Sequence, residues 1–192
     1  MSNHPKEEEV KVFYSNEYLL RDGQSFIVRN AKLGDEQGLV DHMKVVDCET
    51  KFLARGPGEF NFTLDQERDF IKSTLNNKAL FFLIGEIDGK IIANCSVGIV
   101  SNNKRYLHRA AMGIAVRKDY WNIGIGNKMM KECIKWCKEN GVEQLELEVV
   151  TQNTRAISMY KTLGFQVHGT KKHALKYEDG TYADEHIMVL FL

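Results

Sequence analysis

Apolar and polar residues alternate along "KVFYSNEYLLRDGQSFIVRNA" on both sides of Asp22-Gly23. This period of two around an Asp-Gly pair predicts an N-terminal hairpin over about residues 11–30, because Asp-Gly accepts the positive φ of a tight turn. The residues before it, 1–10, show no period and are expected to form a flexible tail. Helical spacing follows from Asp35 to Glu49 and from Leu64 to Leu75. Between these lies loop 51–63, centred on Gly56-Pro57-Gly58, and long loops often wall binding sites. Strands are predicted near 79–87 and 90–101, turning at Asp88-Gly89, and near 106–116, as an antiparallel meander. Beyond Gly124 the period changes: Ile125, Met129, Met130, Cys133, Ile134, Trp136 and Cys137 form a helical stripe that stops at Asn140-Gly141. Leu145, Leu147 and Val149 then alternate with Gln144, Glu146 and Glu148 as a strand. A short helix runs from Thr154 to Leu163, and strands near 165–176 and 181–192 turn at Glu178-Asp179-Gly180. The whole chain, 1–192, reads as one α/β domain with a mixed, mostly antiparallel central sheet flanked by helices.

Charge narrows the partners. Basic and acidic side chains each number 26, so the chain has no basic excess and no nucleic-acid partner is expected. They are uneven, with 9 basic and 14 acidic in residues 1–70 against 17 and 12 in residues 71–192. That places an anionic ligand on the C-terminal part and a cationic one near the N-terminal part, unless the unevenness is only solvated surface. The longest apolar run, "ALFFLI", is far short of the roughly 20 residues of a membrane helix, so no membrane partner is expected. The acidic start has no apolar signal core, and the expected location is cytoplasmic. Cys48, Cys95, Cys133 and Cys137 read as reduced and mostly buried thiols. Cys133 and Cys137 share a helix face without a histidine at ligand spacing, and no metal site is expected.

Gly124 and Gly126 sit between a strand ending at Val116 and the start of a helix. Unsatisfied amides and the helix dipole make that place favourable for an anion, and missing side chains would let a phosphate reach the amides. Tight packing or a turn would explain the same glycines. The dinucleotide fingerprint G-x-G-x-x-G fails at Met129, and a P-loop fails for want of Gly-Lys-Ser/Thr.

"V-x4-WNIGIG" together with "LELEVVTQNTRAISMYKTLGF" resembles the GNAT superfamily of acyl-CoA-dependent N-acetyltransferases. The resemblance covers about residues 25–190 and is densest over 107–165. It implies acetyl-CoA as cosubstrate. The turn Trp121, Asn122, Ile123, Gly124, Ile125 and Gly126 would cradle the coenzyme A pyrophosphate with backbone amides. The pantetheine arm would lie along Ile114, Ala115 and Val116, between parallel strands 106–116 and 144–150 that splay to admit it. The family usually opens this turn with Gln or Arg, where this chain has Trp121.

Acetyl transfer needs a neutral amine, yet a lysine-like amine has a pKa of about 10.4. Many members of the resembling family use a glutamate base at the position matching Ala110. His108, two residues earlier, would share a face with Ala110 and Met112 on a regular strand, and its pKa of about 6.5 suits a base. It also reads as a half-buried histidine at a strand start. Glu148 is a second candidate, acting through a water, or else a polar position of an alternating strand. Tyr160 matches the family's tyrosine near the sulfur and is the expected general acid for the departing thiolate; its helix spacing with Ala156 and Leu163 also fits a core aromatic. Asn153 suits a helix N-cap, and the resemblance adds a contact to the cofactor. Cys95 as a covalent nucleophile is disfavoured, since the family transfers directly from thioester to amine.

The expected function is therefore acetyl transfer from acetyl-CoA to a primary amine of a small molecule or a peptide N-terminus. An acyl-CoA-binding sensor of the same fold is the alternative, and a homodimer is compatible with either. Loop 51–63 and the last hairpin would frame the acceptor mouth, where Glu59, Asp179 and Asp184 are candidates for attracting a cationic amine.

Overall fold

Strand β1 (Ser15–Leu19) pairs antiparallel with β2 (Ser25–Asn30), which is the hairpin the alternation predicts. The computed structural model describes residues 14–20 and 23–192; the predicted tail, residues 11–13 and Asp22 lie outside the described residues. Helices α1 (Glu36–Glu49) and α2 (Leu64–Asn76) follow, the second opened by a capping box between Thr63 and Gln66. Next come β3 (Leu80–Ile87), β4 (Lys90–Ile99) and β5 (Arg109–Val116), then α3 (Ile125–Glu139), β6 (Gln144–Val150), α4 (Thr154–Thr162), β7 (Gln166–Lys176) and β8 (Tyr182–Phe191). The eight strands form one sheet in the order β1-β2-β3-β4-β5-β6-β8-β7, antiparallel throughout except for the β5–β6 pair.

The third meander strand is shorter than the sequence predicts. Residues 104–106 form a 3₁₀ turn, and the ladder to β4 begins where the Val100 amide donates to the Arg109 carbonyl at 3.0 Å. His108 therefore precedes the strand, with its carbonyl accepting from the amides of Glu143 (2.8 Å) and Gln144 (3.0 Å).

Residues paired in register project to the same side of a sheet, which identifies its two faces. Asn94, Ser96 and Gly98 of β4 align with Ala115, Gly113 and Ala111 of β5, and Ala111 aligns with Glu146 of β6. Helices α1 and α2 cover this face, where Leu39, Ile71, Phe82, Ile84 and Ile91 form a buried cluster. His42 of α1 is fully buried here, bonded to Asn94 Oδ1 at 3.0 Å and approached by Arg117 Nε at 3.4 Å. Burial pushes its pKa down to about 4, so the ring is neutral at pH 7 and fastens the end of β5 to α1. The opposite face carries the larger core, with Cys95, Val97, Ala110, Leu145 and Leu147 packed under Met129, Met130 and Cys133 of α3 and Tyr160 of α4. Three of the four cysteines are buried as expected, whereas Cys48 is exposed. Among the described residues, no helix is long and apolar enough to cross a membrane.

Candidate active site

The parallel strands β5 and β6 are in register only from Arg109↔Gln144 to Ala111↔Glu146, although both continue well beyond. A cleft of about 690 Å³ opens where they part. Its walls include Phe52, Leu53, Glu148, Glu185 and Ile187 on the α1/α2 face, and Met130, Ala156, Met159 and Tyr160 on the α3/α4 face. The cleft thus crosses the sheet at the split and is lined from both faces. Ile114, Ala115 and Val116 line it, as does Gly113, where an added Cβ would meet nothing within 4 Å.

The glycine-rich turn lies at one end of this cleft. Trp121, Asn122, Gly124, Ile125 and Gly126 line it, while Ile123 packs its side chain toward the core. The first amide of α3 with a protein acceptor is that of Lys128, donating to the Gly124 carbonyl at 3.1 Å, so the preceding helix amides are available to an anion. Both alternatives to phosphate access, a turn and tight packing, are present at these glycines. Gly124 has φ +93°, which strains any L residue. A Cβ at Gly126 would lie 3.0 Å from Met159 Sδ, so this glycine lets α4 pack onto the start of α3. Trp121 donates its indole N–H to the Val116 carbonyl at 2.7 Å and carries the Arg155 guanidinium 3.3 Å from its ring centroid. The departure from Gln or Arg at this position therefore still leaves a cation at the turn. Among the described residues no carboxylate pairs with Arg155, which the sequence reading overlooked although it lies inside the N-x2-A motif.

Asn153 caps α4, accepting from the Ala156 amide at 3.3 Å, and lines the cleft. Tyr160 is 7% exposed and packs on Phe165 at 5.9 Å between centroids. Among the described residues its hydroxyl has no hydrogen-bond partner, and burial, then the neighbouring Cys95, push its pKa above the ordinary phenol value. The phenol is thus held as a neutral donor inside the cleft. Cys95 itself does not line the cleft; its sulfur lies 3.3 Å from that of Cys133 in the core.

His108 does not line the cleft either, because the chain turns before β5 begins. Ala110 and Met112 share a face of β5 as expected, but His108 lies outside the strand, and Ala110 is sealed in the core with no exposure. Acidic side chains reach the cleft instead from β6 and β8. Glu146 is bound by Arg109 (Nη2 to Oε2, 2.9 Å), which holds its carboxyl below the usual range despite some burial. Glu148 pairs with Lys171 of β7. Glu185, which sequence reading missed, stands diagonal to Glu148, since its register partner is Val150. Burial and then the nearby Glu148 raise its pKa, with Lys171 opposing. The acids expected to draw in an amine have local tasks: Glu59 accepts from the Gly56 amide (2.6 Å), Asp179 from the Thr181 amide (2.9 Å), and Asp184 from Lys172 (2.7 Å).

The Acetyltransferase (GNAT) family model matches residues 47–165. An L-amino acid N-acetyltransferase of Escherichia coli, AaaT, is 34% identical over 108 residues, which cover 55% of this chain and 65% of that protein. An N-alpha-acetyltransferase of Sulfurisphaera tokodaii is 28% identical over 168 residues, covering 83% and 90%. A crystal structure of a GNAT-family acetyltransferase from Streptococcus pneumoniae superposes with a TM-score of 0.82 at 26% identity, over 87% of this chain and 99% of that one. With the family match spanning well over half the chain on a sheet split at this turn, the chain belongs to the GNAT family of acyl-CoA-dependent N-acetyltransferases.

Proposed function

We propose that this cleft moves the acetyl group of acetyl-CoA to a primary amine by direct attack on the thioester. The observation that carries the reading is the split between β5 and β6, with free helix amides at one end, a buried phenol on one face and carboxylates on the other. The amides around Gly124, with Arg155 beside them, hold the pyrophosphate, and the pantetheine arm runs along Ile114 to Val116 past Asn153. The amine enters from the α1/α2 face and its nitrogen attacks the carbonyl carbon. The Glu148–Glu185 pair takes the proton from nitrogen, directly or through water. As the carbon–sulfur bond breaks, the Tyr160 hydroxyl donates a proton to sulfur from the α3/α4 face. Primary amines acted on by the named relatives include L-amino acids.

The assignment of the base is tested by pH profiles of thiol release with an amine of low pKa. Activity rises as the accepting carboxylates lose their protons, so wild type is expected to show an ascending limb. His108→Ala should keep that limb and activity within about threefold, while Glu148→Gln with Glu185→Gln should lose the limb and about 10²-fold or more in kcat. A limb lost in His108→Ala and kept in the glutamine variant returns the role to His108. No thiol release with any amine leaves the sensor reading in place of turnover.

A further inference from the structure

Glu148 of β6, Glu185 of β8 and Lys171 of β7 lie in a row across the last strands of the sheet, on the α1/α2 face. Lys171 is the register partner of Glu185, yet it places its ammonium on Glu148, one strand further in. Its side chain therefore crosses β8 at the level of Glu185 and acts on that carboxylate at longer range. Both carboxylates line the cleft, and they approach closely enough for a protonated Glu185 to donate to Glu148. The other charged and titratable groups around them are engaged. Arg109 holds Glu146 through Nη2 at 2.9 Å, Asp184 holds Lys172 at 2.7 Å, and His186, on the opposite face, bonds to Thr170 at 2.9 Å. Tyr177 lies near Glu185 but donates to the Lys51 carbonyl at 2.9 Å, and the Lys51 ammonium stands 5.6 Å from its ring centroid.

We infer that Lys171 is a positioning residue that divides the labour of the carboxylate pair: by engaging Glu148 it leaves Glu185 to take the proton from the amine. This rests on the acetyl-transfer reading above, in which the pair acts undivided. Two neighbouring carboxylates favour uptake of one proton, because a shared proton removes a like-charge contact. A carboxylate bonded to an ammonium gains less from that proton, since taking it up weakens a charge-assisted hydrogen bond. Glu185 is the member where burial and the facing Glu148 favour the proton, with Lys171 opposing. In the step itself a nitrogen–hydrogen bond of the attacking amine breaks and Glu185 takes the proton. The new O–H donates to Glu148, whose charge Lys171 balances, and solvent removes the proton before the next cycle.

The test follows the Glu185 carboxyl by NMR in protein labelled at its glutamate carboxyls, alongside pH profiles of thiol release. Methionine, methionine amide and spermidine serve as acceptors, with kcat/KM expressed per unprotonated amine so that only the enzyme's ionisation remains. Glu185→Gln identifies the Glu185 signal and should lose the ascending limb together with about 10²-fold in kcat/KM. Glu148→Gln removes a like charge, so it should keep a limb and move it, with the Glu185 signal, to lower pH. Lys171→Met removes the opposing charge and should move both to higher pH, and Lys171→Arg should return both to their wild-type positions. The Lys171–Glu148 pair is half-exposed, an arrangement that contributes little to stability, so the methionine variant should stay folded. A Glu185 signal and limb unmoved in Lys171→Met, or moved as far by arginine as by methionine, overturns the role of Lys171. A limb kept in Glu185→Gln and lost in Glu148→Gln gives the proton to Glu148 and overturns the division while leaving acetyl transfer intact. Silence with all three amines from protein that binds acetyl-CoA overturns acetyl transfer, and this inference with it.

Discussion

Gly113→Val is expected to abolish acetyl transfer while leaving the fold intact. Gly113 lies in β5, aligned with Ser96, and lines the cleft where β5 and β6 have parted. A Cβ there meets no heavy atom within 4 Å, and its φ is not in the left-handed region. Valine suits strand backbone, and glycine within a strand costs roughly 0.5–1 kcal/mol relative to alanine. The unfolding midpoint should therefore stay level or rise. The added methyls project to the α1/α2 side of the split, where the amine must meet the acetyl group, so kcat/KM should fall by about 10²-fold or more. A folded variant with normal turnover shows that amine and acetyl group meet elsewhere. Calorimetry with acetyl-CoA separates the two ways of losing activity: weakened binding places the valine against the arm itself, and unchanged binding places it against the incoming amine.

Most elements were legible because their periods are strong. The α3 stripe from Ile125 to Cys137 and the alternation from Gln144 to Val149 each matched an observed element within a residue or so. The start of β5 was not, since Tyr106, Leu107 and His108 look like a strand entry in sequence. Hydrogen bonding decides otherwise: the His108 carbonyl serves the loop before β6 while the ladder to β4 starts at Arg109. Side-chain periodicity carries no record of which carbonyl a backbone amide chooses. Tight packing at Gly126 was foreseeable but its neighbour was not, because Met159, which needs the room, lies on another helix. Asp179 and Asp184 stand in the acidic last hairpin, but each satisfies neighbouring donors, whereas Glu185 faces the cleft by strand parity and pairing with β6. A local motif shows which side chains are acidic; only the sheet register shows which remain available.

Tyr160→Phe is expected to lower kcat by roughly 10²–10⁴-fold, the usual range for a general acid, with acetyl-CoA affinity changed less than about twofold. The ring is 7% exposed and packs on Phe165, contacts that phenylalanine retains, so the unfolding midpoint should hardly move. What is lost is one hydroxyl without a protein partner, lying in the cleft on the face opposite Glu148 and Glu185. That placement matters because attack and departure occur on opposite sides of the reacting carbon's surroundings: proton removal from nitrogen is served from the α1/α2 face, proton delivery to sulfur from the α3/α4 face. Burial pushes the phenol above its ordinary pKa, so Tyr160 remains protonated through the working range. Its ionisation should then impose no descending limb on the wild-type pH profile below about pH 10, the unperturbed phenol value. A Phe variant with near-normal kcat reduces Tyr160 to a packing residue. A descending limb below pH 10 that vanishes in the variant places the hydroxyl in contact with solvent, against its burial between α4 and the sheet.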